Sequence, residues 1–402
     1  MIDLERARRE TPGCQHVIHL NNAGASLMPE PVLRAVTEHL ELEARIGGYE
    51  AAARREDAWQ HTYDAIATLI NSDRDEIAVV ENATRAWDMA FYGLRFASGD
   101  RILTSAAEYG SNYLAYLQTI RRTGVSVEVV PDDERGEVSL DALAEMLDER
   151  VKLVAITHVP TNGGLVNPAE GVGELARQAD VPFLLDACQS MGQMPLDVER
   201  IGCDMLAATG RKFLRGPRGT GFLYMRRELI ERIEPPFIDV LSAEWTGRDT
   251  YRWRSDARRF ENWETNYATK IGLGAAVDYA LRWGLEDIRD HNYPLAARLR
   301  ARLRELPRVV VLDLGREPCA IVTFTIAGSD PRAVARKLSE RRINVSVSTI
   351  EDTRLDMEAR GRESWVRASV HYFNSEDEIA ELADAVEQIA ASAELDPGRG
   401  DE

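Results

Sequence analysis

Lysine is almost absent from this chain. Of its 49 basic residues only four are lysine: Lys152, Lys212, Lys270 and Lys337. Where arginine fills nearly every cationic position, a lysine kept at a strand-to-loop junction points to a need for an amine that can lose its proton. Cysteine is equally sparse. Cys14, Cys188, Cys203 and Cys319 lie far apart, with no Cys-x-x-Cys spacing. Neither a disulfide framework nor a metal site is therefore expected, and a reducing cytoplasm is the expected location. No stretch approaches the ~20 apolar residues of a spanning helix, and Met1–Glu10 has no apolar core of a signal peptide. Positive charge is in deficit: the net charge is -18, which argues against nucleic acid and anionic membrane as partners. Internal repeats and low-complexity tracts are missing too. At 402 residues the chain can bury a large core and is expected to form a large and a smaller domain.

What is present is alternation. Seven short apolar segments recur up to about residue 225: 76–80, 101–105, 126–131, 152–159, 181–187, 204–209 and 220–225. Several are continuously apolar, as in strands buried on both faces of a largely parallel sheet. Helical patterns fall between them, as in Asp141–Leu147. This predicts an α/β fold with its ligand at the carboxyl ends of the strands, where Asp186 and Thr209 lie. Past residue 270 the texture changes to a helix over 272–284, strands at 309–314, 320–326, 344–348 and 366–372, and helices over 331–342 and 375–391. The expected organisation is an N-terminal arm over 1–20, a large domain over 21–270, a smaller α+β domain over 271–395 and a frayed tail over 396–402.

Lys212 is the residue on which the chemistry turns. It lies in Thr209-Gly210-Arg211-Lys212, directly before the glycine-rich run Gly216–Gly221. The apolar strand ending in Asp186 lies 26 residues upstream, in Phe183-Leu184-Leu185-Asp186-Ala187-Cys188-Gln189. A lone lysine is usually a solvated surface group. Lys152, Lys270 and Lys337 fit that description better than Lys212, which alone has an aspartate strand before it and a glycine turn after it. A lysine able to form a Schiff base, with an aspartate able to face a pyridinium nitrogen, is the minimal signature of a pyridoxal phosphate (PLP) site. A nicotinamide-binding fold would carry Gly-x-Gly-x-x-Gly after the first strand, and 77–85 has none.

Taken in order, these segments resemble the class V aminotransferase family of fold type I PLP enzymes. That branch includes cysteine desulfurases, isopenicillin N epimerase and hercynylcysteine sulfoxide lyase. The resemblance runs from His19-Leu20-Asn21-Asn22 to Val366-Arg367-Ala368-Ser369. It implies a seven-stranded, mostly parallel large domain, a smaller α+β domain and a homodimer. It implies that Lys212 carries the cofactor and moves protons, that Asp186 faces the ring nitrogen and that Gln189 donates to the phenolic oxygen. Ala83, Thr84 and Arg85 match the family's phosphate turn, and Thr209 and Arg211 stand where its Ser-x-His contacts the phosphate. Tyr109 takes the ring-stacking slot, and Thr161 replaces a cofactor-side asparagine. Arg367 and Asn22 are the implied substrate contacts. Glu264, with Thr265 adjacent, occupies the slot whose threonine reaches a neighbouring subunit's phosphate in desulfurases.

The reaction expected from this is attack on an α-amino acid through an external aldimine and Cα deprotonation, followed by cleavage of a Cβ–heteroatom bond, at carbon–sulfur. The loop 344–361 contains no cysteine, and Tyr109 replaces the desulfurase histidine. Both departures disfavour a cysteine desulfurase and lean toward a C–S lyase. The alternatives are an aminotransferase or an epimerase of the isopenicillin N epimerase type.

Overall fold

The computed structural model describes residues 1–392; the tail expected over 396–402 lies outside them. All seven segments read as strands from the sequence join one sheet: β1 (Ile77–Val80), β2 (Arg101–Thr104), β3 (Ser126–Val129), β4 (Val151–Thr157), β5 (Phe183–Asp186), β6 (Met205–Thr209) and β7 (Gly221–Met225). Their spatial order is β1-β7-β6-β5-β4-β2-β3. β7 is antiparallel to both of its neighbours, and the other pairs are parallel. Six strands therefore end on one edge, and β7 begins there. Every residue of β1, β2, β5, β6 and β7 is buried, because helices cover both faces. This is the fold type I architecture expected.

Helices α1 (Glu30–Ile46) and α2 (Glu56–Ile70) precede the sheet, and two more rise from its ligand edge. α3 (Ala83–Phe91) follows β1, and its first turn is capped by Asn82, whose side chain accepts from the Arg85 N–H. α4 (Gly110–Thr123) follows β2 and closes on Gly124 in the left-handed region, φ 76°.

A second, antiparallel sheet contains β8 (Val309–Val311), β9 (Ile321–Ile326), β10 (Ser346–Thr349) and β11 (Ser364–Ser369), in the order β8-β9-β11-β10. Its own core gathers Leu299, Phe324, Val366, Leu382 and Val386, supplied in part by helices Leu285–Glu305 and Glu376–Ser392. The helix Tyr267–Trp283 packs on Glu30–Ile46 and Glu56–Ile70, beside the large sheet, and Gly284 separates it from Leu285–Glu305. The N-terminal segment is tied to the smaller sheet's side: Ile18–His19 pairs with Ile343–Asn344. No strand expected from the sequence corresponds to the antiparallel hairpin Ala243–Gly247/Thr250–Trp253. Its outward Trp245 and Tyr251 hide the burial pattern by which strands are read.

Candidate active site

The ligand edge of the large sheet encloses a cavity of about 410 Å³ lined by Asn82, Ala83, Thr84, Tyr109, Thr157, Val159, Thr161, Asp186, Cys188, Gln189, Arg211 and Lys212. Chain connectivity explains the convergence. Asp186 is the last residue of β5, and Lys212 lies three residues past β6, its hydrogen-bonded neighbour. The two turns touch: Gly192 has φ +90°, and a Cβ there would lie 2.5 Å from the Leu214 nitrogen. Only glycine permits that approach.

Lys212 is 9% exposed and makes no hydrogen bond or ion pair among the described residues. Burial lowers its pKa, and the cations of Arg211 and Arg367 push the same way. Both effects favour the neutral, nucleophilic form of the amine relative to a solvated lysine. Asp186, 4% exposed, accepts from the Cys188 N–H at 2.9 Å and from Asn112 Nδ2 at 3.0 Å. It has no cation partner among the described residues. A buried carboxylate held by neutral donors alone suits a cationic nitrogen brought by a ligand.

The phosphate end is also recognisable. The N–H groups of Ala83 and Thr84 open α3 without a hydrogen-bond acceptor among the described residues, the arrangement that favours an anion. Arg211 reaches the same cavity and forms no ion pair among the described residues. Its Nη1 donates to Thr209 Oγ1 at 3.0 Å, while Thr209 Oγ1 donates to the Thr220 carbonyl at 3.2 Å. Thr209 therefore orients Arg211 rather than lining the cavity itself.

On the other side, Thr161 Oγ1 is shared. Gln189 Nε2 donates to it at 2.9 Å and Arg367 Nη1 at 2.6 Å. Gln189 Nε2 donates also to the Ala23 carbonyl at 3.1 Å. Its two amide hydrogens are thus taken, so the donation to a ring oxygen expected of Gln189 is not offered by this geometry. Gln189 Oε1 and Arg367 Nε are buried without hydrogen-bond partners among the described residues, which is uncommon for buried polar atoms. Burial lowers the Arg367 pKa to about 10. The loop after β10 folds back over this end, with the Asp352 carbonyl accepting from the Gly110 N–H at 2.8 Å.

Three further expectations need correction. Arg85 does not reach the cavity: its guanidinium lies over the Phe237 ring, 5.5 Å from the centroid. Asn22 is committed structurally, with Nδ2 donating to the Ser369 carbonyl at 2.7 Å and Oδ1 accepting from Ser26. Lys270 is no surface lysine. It is 4% exposed, paired at 3.0 Å with buried Glu261, which also accepts from Tyr63 and the Val79 N–H. Glu264 and Thr265 line a separate cavity with Tyr49, Gly219 and Lys270. Asn82, Thr157, Val159 and Cys188 were missed as lining residues. The i,i+4 pair Glu108/Asn112, read from the strand end into α4, was the available signal for the carboxylate network behind Asp186.

A PLP molecule matches these features: an aldehyde for the free amine, a basic ring nitrogen for the unpaired carboxylate, and a phosphate for the α3 N-terminus and Arg211. Comparison with known proteins agrees. The family model for aminotransferase class-V matches residues 18–382. A probable cysteine desulfurase of Methanothermobacter thermautotrophicus is 32% identical over 394 residues, covering 96% of this chain and 98% of the relative. The apo structure of cysteine desulfurase from Thermococcus onnurineus NA1 superposes with a TM-score of 0.91 at 28% identity, covering 98% of this chain and 99% of that one. C-DES, described as a cystine C–S lyase and solved with its reaction product cysteine persulfide, gives 0.83 at 26% identity, covering 93% and 99%. A mutant of C-DES carries glycine covalently linked to the PLP cofactor. These relatives correct the expected reaction. The missing loop cysteine and Tyr109 speak against a desulfurase, yet desulfurases recur among the relatives at nearly full length.

Proposed function

Because this chain belongs to the aminotransferase class-V family of PLP enzymes, we propose that it is a cysteine desulfurase, moving sulfur from L-cysteine to a thiol and leaving L-alanine. The carrying observation is the cavity in which the unpartnered Lys212 amine, the uncompensated Asp186 carboxylate and the free N–H groups of α3 meet. When bound there, PLP supplies an electron sink for negative charge developing at the substrate Cα.

The chain's own residues do the rest. Lys212 would hold the cofactor through its amine and would serve as the base that takes the Cα proton; burial lowers its pKa, which favours that role. Asp186 receives the ring N–H. Ala83, Thr84 and Arg211 hold the phosphate, and Tyr109 offers an aromatic face to the ring. Arg367, steadied by Thr161, meets the substrate carboxylate with a planar fork. The Glu351–Asp352 loop, docked on Gly110, limits water at that end.

The sulfur acceptor comes from outside the chain. Cys188 is the one cysteine lining the cavity, and burial with the neighbouring Asp186 raises its pKa, so it stays a thiol rather than the reactive thiolate. The overall change is L-cysteine plus R–SH giving L-alanine plus R–S–SH. The Cβ–S bond breaks, a sulfur–sulfur bond forms, and Cβ is reduced to methyl as the sulfur is oxidised to the sulfane level. The reading extends to a homodimer acting on a small amino acid in the cytoplasm; light scattering tests the dimer. Among the described residues no helix is long and apolar enough to cross a membrane.

Purified PLP-loaded protein given L-cysteine and dithiothreitol should yield alanine and sulfide in equal amounts. Pyruvate and ammonia in place of alanine would refute the proposal.

A further inference from the structure

Two buried carboxylates stand at the carboxyl ends of strands on the ligand edge, and a single amide joins them. Glu108 follows β2 and is 3% exposed. Its Oε1 accepts from Thr157 Oγ1, from the Tyr109 N–H at 2.7 Å and from Asn112 Nδ2 at 3.0 Å. Its Oε2 accepts from Thr104 Oγ1 at 3.0 Å and from the Tyr116 hydroxyl at 3.4 Å. The same Asn112 Nδ2 lies 3.0 Å from Asp186 Oδ2. Each amide hydrogen of Asn112 thus serves one carboxylate.

Neither carboxylate has a cation partner among the described residues. One such group is explained by a cationic ring nitrogen. The second is not, because burying another uncompensated charge beside it is costly. The titratable groups facing Glu108 are Asp186 from β5, Tyr116 from α4 and the adjoining Tyr109; none is a cation. Cys188, Arg211 and Lys212 border Asp186 on the cavity side. Burial, and then the Asp186 charge, raises the Glu108 pKa to about 7, and a cation brought to Asp186 would draw it down again.

We infer that Glu108 is a positioning residue: acting through Asn112, it aims the Asp186 carboxylate at the cofactor's ring nitrogen and adds a second negative charge that keeps that nitrogen protonated. The inference rests on reading the cavity as a PLP site. It assigns the Glu108–Asn112–Asp186 chain a task that packing alone does not require. A glutamine at 108 could be satisfied there, since its oxygen keeps the three donors on Oε1 and its NH2 meets two hydroxyls able to accept.

The test uses wild-type protein and the Glu108→Gln variant, each stripped and reloaded with PLP labelled with 15N at the ring nitrogen. Removing one charge from the buried pair should lower the midpoint for ring-nitrogen deprotonation, read from the 15N shift, by about one to two pH units. It should also weaken PLP binding to the apoprotein about tenfold, since the ring nitrogen loses part of its field. Asn112→Leu, which cuts the link and leaves both carboxylates, should also weaken PLP binding, and it serves as the test if Glu108→Gln does not fold. Wild-type nitrogen shift and wild-type PLP affinity in a folded variant would overturn the inference. Failure of wild-type protein to bind PLP would instead overturn the reading of the cavity.

Discussion

Replacing Glu108 by glutamine should make the apoprotein's stability less dependent on pH. In the wild type this carboxyl is buried beside Asp186, and its folded-state pKa is raised from 4.5 to about 7. A carboxyl whose folded pKa lies above its unfolded one stabilises the fold fully only below pH 4.5. That contribution is then lost as pH rises through about 7, because the folded state must bury a charge that the unfolded chain exposes to water. A shift of this size is worth about 3 kcal/mol. Glutamine does not titrate. It keeps the Oε1 acceptor and re-pairs at Oε2, so its own cost is about 1 kcal/mol. At about pH 4 the wild type should therefore be the more stable; by about pH 8 the difference should have moved in the variant's favour by about 3 kcal/mol. Urea unfolding of both apoproteins across this range measures the gap directly. A gap that stays constant with pH would refute the reasoning, since it would mean that Glu108 does not change its ionisation between the folded and unfolded chain in this range.

Other predictions follow from single contacts. Lys270→Met removes the only cation paired with buried Glu261 among the described residues; denaturant unfolding should show a loss of about 3–5 kcal/mol, partly recovered by adding Glu261→Gln. Gly110→Ala would set a Cβ 2.2 Å from the Glu351 carbonyl oxygen. The Glu351–Asp352 loop must lift, so KM for the amino acid should rise while PLP content and the melting temperature hold. Arg367→Lys keeps a charge but loses the second fork of the guanidinium; titration should show amino-acid affinity falling about tenfold with PLP content unchanged.

Much of this fold was legible because buried parallel strands announce themselves. Phe183–Asp186 and Met205–Thr209 are apolar runs with no polar face, and both lie where the pattern put them. The Lys212 and Asp186 pair was legible for a related reason: a strand end followed by a tight turn fixes where the next side chain goes. What stayed hidden was tertiary. Lys270 sits at a helix start like any surface lysine, and only the packing of Tyr267–Trp283 on Glu56–Ile70 buries it against Glu261. Asn22 and Arg85 carry the right chemistry, but their partners, Ser369 and Phe237, are remote in sequence. The reaction was misread for another reason. It rested on a missing thiol and on Tyr109 in a histidine's place; a thiol can be supplied by another molecule, whereas a lysine held in a cavity cannot.

Everything proposed for this cavity depends on Lys212 holding PLP through its amine. Borohydride reduction of the loaded protein, followed by proteolysis and mass spectrometry, tests it most directly. A phosphopyridoxyl adduct should appear on the peptide containing Lys212 and on no other. An adduct on Lys152, Lys270 or Lys337, with Lys212 unmodified, would contradict it.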